Sequence, residues 1–88
     1  MLLLGVALSA SIDAWAQGGG RRGRDRQARA ERRRALDRLR AGAFQEALAA
    51  IERAQQIVPS ASNLVLIGRC YEGLGRRTEA IESLNQAL

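Results

Sequence analysis

The stretch Gly42–Pro59, GAFQEALAAIERAQQIVP, decides how this chain folds. A Gly opens it and a Pro closes it. Between them, apolar or small residues recur at Phe44, Ala47, Leu48, Ile51, Ala54, Ile57 and Val58. Steps of three and four residues place such side chains along one side of an α-helix. Much of this grammar returns 33 residues later, where Gly42 is matched by Gly75, Glu46 by Glu79 and Ala47 by Ala80. Leu48 is matched by Ile81, Ile51 by Leu84 and Ala54 by Ala87. A helical unit repeated at that interval is built to stack on copies of itself.

Outward from that stretch, the punctuation predicts four helices. The first becomes firm from about Ala28, where Leu36 and Leu39 give it something to bury, and Gly42 ends it because Gly enters the left-handed region without a Cβ penalty. The second covers about Phe44 to Ile57, stopped by Pro59. The third covers about Ala61 to Leu74, with Ser60, Ser62 and Asn63 all suited to capping its start. The fourth begins near Thr78, a residue fit for N-cap or N1, and is still running at Leu88. Glu46 and Glu79 fall near the starts of the second and fourth helices, where a carboxylate favours the positive end of the helix dipole. Opposite charges at i,i+4 offer the pairs Asp25–Arg29, Arg33–Asp37 and Glu72–Arg76.

With 88 residues, the chain holds one small domain at most, and its net charge of +5 is unevenly spread. All fourteen basic side chains are Arg; residues 21–40 carry ten of them against three carboxylates, a local +7, while residues 41–88 sum to −1. There is no His, and Cys70 is the single Cys. One Cys forms no internal disulfide, and no Cys/His set exists to hold zinc. Cys70 lies on an apolar helical stripe beside Tyr71 without an activating base nearby, so it reads as a small core thiol. No pair of residues makes a catalytic couple. The reading is therefore non-enzymatic, with no cofactor.

Residues 1–16 read as an address. Leu2–Ile12 is apolar or small but too short to span about 30 Å of hydrocarbon. Ala14-Trp15-Ala16 then supplies small residues where a signal peptidase cleaves, which places the cut after Ala16 and the mature protein outside the cytoplasm, periplasmic or secreted. An N-terminal core helix is the alternative. Residues 17–27 follow as a Gly/Arg-rich tether, QGGGRRGRDRQ.

The helical units resemble tetratricopeptide repeats, over about residues 28–88, as units 28–59 and 60–88. In NLVLIGRCYEGLGRRTEAIESL, Leu64 stands for the family's first large residue, Ile67-Gly68 for Leu-Gly and Tyr71 for Tyr, with Ala80, Leu84 and Ala87 in register. The first unit shares Ala47, Ile51, Ala54 and Pro59 but has Glu31, Arg34 and Arg38 at the large positions of its first helix, keeping only Ala35 at the small one. The resemblance implies an all-α solenoid of antiparallel helix pairs that binds protein. It implies tight packing at Ala47, Gly68 and Ala80, and larger side chains such as Phe44, Ile67 and Leu84 filling between the helices. It also implies a concave face lined by Arg29, Arg32, Arg33, Leu36 and Arg40, then Ser62, Val65, Leu66 and Arg69.

A face so rich in guanidinium suits an acidic peptide, since the Arg fork pairs bidentately with carboxylate. The bland alternative is a solvated helix face. A clamp for a terminal carboxylate of the kind found in the family is not supported, because Leu36 and Leu66 occupy positions where Asn is expected and Lys is absent. The second functional reading is an electrostatic anchor, in which the Arg-rich arm 21–40 holds anionic envelope polymers or lipid. The export signal argues against nucleic acid, and no aromatic residue is interleaved for base stacking. Repeats of this sort need about three units. Hence Ile81, Leu84, Ala87 and Leu88 are expected to form an apolar edge, covered by further repeats of a longer chain or by self-association.

Overall fold

The computed structural model describes residues 20–88; the expected signal segment 1–16 and tether residues 17–19 lie outside them. The described residues form four helices and no strand: α1 (Arg21–Arg40), α2 (Phe44–Ile57), α3 (Ala61–Gly73) and α4 (Arg77–Ala87). They pack as α1 on α2, α2 on α3 and α3 on α4. The fold class is all-α.

Each boundary has a local cause. After α1, Gly42 takes φ +77°. Its N–H donates to the Leu39 carbonyl at 3.0 Å and the Ala43 N–H to the Arg38 carbonyl at 2.8 Å. These paired bonds form a Schellman motif, which satisfies carbonyls that the helix end leaves free. The same construction recurs 33 residues on: Gly75 takes φ +75°, its N–H donates to Glu72 at 3.0 Å, and the Arg76 N–H donates to Tyr71 at 2.8 Å. Between α2 and α3 the turn is different. The Ser60 hydroxyl accepts from the Asn63 N–H at 3.1 Å, the N-cap bond, while the Gln55 side-chain Oε1 accepts from the Ser60 N–H at 3.0 Å. Of the three capping candidates, Ser60 takes the role.

Three expectations are corrected. The helix drawn from about Ala28 begins at Arg21, so residues 21–27 are helical where a flexible tether was expected. Arg is a good helix former, and the few tenths of a kcal/mol lost to like-charge neighbours do not outweigh propagation from a packed helix. Ala28 is nonetheless the first buried residue, so packing starts where it was placed. Thr78 is neither N-cap nor N1, because Arg76 caps α4 and Arg77 is its first residue. Glu72 and Arg76 do not pair, since α3 ends at Gly73; Arg76 instead meets Glu79 at 3.1 Å and lies 5.0 Å over the Tyr71 ring. That stacking bridges the third residue from the helix end, Tyr71, and the third residue beyond it, Arg76, where a Schellman motif ordinarily carries an apolar contact.

The core is one cluster drawn from the first three helices: Ala35, Leu48, Ala50 and Ile51 with Ala47 and Ala54, then Leu66, Ile67 and Cys70. Small residues set the close approaches. Ala47 and Ala54 are fully buried. A Cβ on Gly68 would meet Leu84 Cγ at 3.1 Å and the Ala80 carbonyl at 3.3 Å, so α3 and α4 cross where Gly68 leaves room. Gly73, at the end of α3, has a packing reason too: a Cβ there would overlap the ring of Phe44 on α2. Leu84 is 40% exposed and Ile81 52%, so neither fills a core between the described helices as Ile51 does.

Candidate functional site

Of the residues expected on the concave face, the structure brings three together. Arg29, Arg32 and Ser62 line a cleft of about 280 Å³ with Ala28, Val58, Ser60, Asn63 and Asp25. Arg32 is its anchor: Nη1 donates to Ser62 Oγ at 2.7 Å and to Asn63 Oδ1 at 3.3 Å, joining the two hairpins. Asn63 is itself immobilised. Its side chain is buried, its Nδ2 donates to the Val58 carbonyl at 3.1 Å and its backbone N–H is held by Ser60. A guanidinium held on one nitrogen by a buried amide keeps its other donors aimed and available. Arg29 stands one turn away and is exposed. Asp25 at the rim partly offsets this positive charge.

The other expected residues are dispersed. Arg33 lines a separate groove of about 470 Å³ on α1, shared with Arg26, Arg29, Ala30, Arg34 and Asp37. Leu36 is half-buried against the core, and Val65 is half-buried on α3. Arg40 approaches Asp37 at 3.9 Å, which leaves Asp37 engaged away from the expected Arg33 partner. The Asp25–Arg29 and Arg33–Asp37 pairs do not form among the described residues. Arg69 is exposed and joins neither cleft. Leu66 is a correction: it is 7% exposed and belongs to the core, so it offers nothing to a ligand. The register was transferred from α1 to α3 without the neighbour that covers this side of α3. Asp25, Ser60 and Asn63 are the polar cleft residues not expected on the concave face; Ser60 and Asn63 carried a signal, as capping candidates.

Further ion pairs tie α1 to α2. Glu31 accepts from Arg53 Nε at 2.8 Å and from Arg34 at 3.5 Å, and Arg38 meets Glu46 at 3.3 Å. Glu31 thus ties α1 to α2 by a polar bridge. Glu46 and Glu79 both stand in the first turns of their helices, as expected.

Cys70 is 1% exposed. Burial, reinforced by the nearby Glu52 carboxylate, pushes its thiol above the ordinary value. A protonated thiol in the core is a poor nucleophile. No group of three or more His, Cys, Asp or Glu is placed to hold a metal ion among the described residues, and no helix there is long and apolar enough to cross a membrane. On α4, Ile81 and Leu84 rim a third cavity of about 270 Å³, and Leu88 is fully exposed beside them in sequence.

Comparison of the chain with protein families, curated proteins and solved structures gives no match. The described residues form a small all-α fold of two successive helix hairpins.

Proposed function

We propose that residues 28–88 are a tetratricopeptide-like, non-catalytic module of an exported protein, and that it binds an acidic peptide segment across its two hairpins. The observation that carries the reading is Arg32, fixed by Ser62 and Asn63 across the boundary between units, with Arg29 beside it. The recurrence of the Gly42 turn at Gly75 supports the repeat architecture, since two hairpins with one closing geometry present their first helices side by side. A held guanidinium loses less freedom when it pairs with carboxylate, which favours affinity.

The test is fluorescence anisotropy with Asp/Glu-rich octapeptides against the wild type and Arg32→Gln. The expected result is saturable binding that weakens about tenfold on loss of a charge-assisted pair. Equal binding by the two proteins, or no binding by any acidic peptide, refutes the reading. The signal segment is tested separately, by N-terminal sequencing of the secreted or periplasmic product, which should begin at Gln17.

A further inference from the structure

The arginines of α1 fall into two populations. Arg34, Arg38 and Arg40 each meet a carboxylate within 4.0 Å, and Arg32 is held by Ser62 and Asn63. Arg21, Arg22, Arg24, Arg26, Arg29 and Arg33 meet no carboxylate among the described residues and are all exposed, and Arg22, Arg26, Arg29 and Arg33 among them form a row. Their spacing is i, i+4, i+7, i+11, which aligns them on one side of the helix. At about 1.5 Å of rise per residue the row is about 16 Å long. The buried side of α1, marked by Ala28 and Ala35, turns elsewhere.

The internal repeat shows what this side of α1 corresponds to. Adding 33 to Arg29, Ala30, Arg33, Arg34 and Asp37 gives Ser62, Asn63, Leu66, Ile67 and Cys70. Four of these five α3 residues are buried, and three belong to the core shared with α1 and α2. The positions that α3 uses to pack on the hairpin before it are therefore charged or small in α1. Guanidinium groups without partners are too costly to bury under another apolar helix. This side of α1 is an open cationic edge, with Arg29 at its border with the inter-hairpin cleft.

We propose that this row lies flat on an anionic phospholipid surface. The reading shares Arg29 with the acidic-peptide cleft but does not rest on that proposal. Two observations favour lipid over other polyanions. The described aromatic side chains are engaged elsewhere, Phe44 against Gly73 and Tyr71 under Arg76, so none is placed beside the row to stack a nucleic-acid base. No large apolar side chain lines the groove along the row to hold the remainder of a peptide. Guanidinium–phosphate pairing supplies the attraction, and each arginine near such a surface contributes about 1 kcal/mol, roughly fivefold in affinity.

The experiment is co-sedimentation of the 88-residue chain with vesicles of phosphatidylcholine containing 30 mol % phosphatidylglycerol. Three proteins are compared: wild type, the row variant Arg22/Arg26/Arg29/Arg33→Gln, and the control Arg53/Arg69/Arg76/Arg77→Gln. The two variants lose equal charge, Gln preserves helix propensity, and circular dichroism confirms that both retain their helices. The expected result is binding by wild type and control, suppressed by 0.5 M salt, with the row variant weaker by about a hundredfold or more. Equal losses in the two variants would overturn the proposal in favour of net charge alone. Equal binding to pure phosphatidylcholine would overturn it in favour of the apolar run Leu2–Ile12. Displacement from vesicles by a single-stranded oligonucleotide at equimolar phosphate would overturn it in favour of nucleic acid.

Discussion

Replacing Gly42 by Ala tests the hairpin geometry with almost no confounding contact. Gly42 sits at φ +77°, and a Cβ built on it meets nothing within 4 Å. The cost is therefore backbone strain alone. An L-residue in the left-handed region loses about 1–2 kcal/mol. Against this, Ala reduces the freedom of the unfolded chain, a gain of about 0.4–1 kcal/mol for Gly→Ala. The net expectation is a loss of about 1 kcal/mol, which for a domain of this size lowers Tm by roughly 4–8 °C. Gly75, at φ +75° and equally open, should respond by the same amount. Gly23 is the internal control: its surroundings are also open, but it lies inside α1, so Ala there should raise helicity and add up to about 0.5–1 kcal/mol. Urea melts followed at 222 nm measure all three, and an unchanged slope would show that only stability has moved. D-alanine at position 42 or 75, introduced by chemical synthesis, should reverse the sign. If Gly42→Ala and Gly75→Ala prove neutral or stabilising while Gly23→Ala behaves as stated, the Schellman turns are not those of the folded chain.

Other outcomes follow from burial, capping and charge. Ile51→Ala should cost about 2–5 kcal/mol because Ile51 is wholly buried, whereas Leu84→Ala, at 40% exposure, should cost about 1 kcal/mol; equal costs would mean that α4 is covered in solution. Ser60→Ala removes the bond to the Asn63 N–H and should cost about 0.5–2 kcal/mol, and Ser60→Gly only a few tenths, both read by thermal melt. Burial raises the Cys70 thiol, so the native state keeps its proton where the unfolded chain gives it up. Stability should then be full below the unfolded thiol value of about 8.5 and fall as pH rises above it, and Cys70→Ala should flatten that slope in urea melts between pH 8 and 10.

The second helix was legible to the residue, Phe44–Ile57, because its ends are set by residues with few alternatives: a Gly that must close a turn and a Pro that cannot continue a helix. The close approach at Gly68 and the small positions Ala47 and Ala80 were legible from the repeat. The start of α1 was not, since Gly, Arg and Ala form no pattern that separates a helix from a tether when nothing is buried. The site was legible only in part. Arg29, Arg32 and Ser62 meet as the register implies, but Leu66 in α3 shares its register position with Arg33 in α1 and has a hairpin against it. A repeat pattern assigns a residue to a face of its own helix; whether that face is covered depends on the neighbour. The Phe44–Gly73 contact escaped for the same reason, because it depends on how the second hairpin sits against the first.

The account rests on the second hairpin packing against the first, and NMR of the protein measures that directly. Phe44 and Gly73 lie on different hairpins and touch. Nuclear Overhauser effects are predicted between the Phe44 ring protons and the Gly73 Hα protons, with those Hα signals displaced by the ring current. A spectrum showing effects within the hairpins, such as Leu84 methyls to Gly68, but none between Phe44 and Gly73 would contradict the stacking and the cleft built on it.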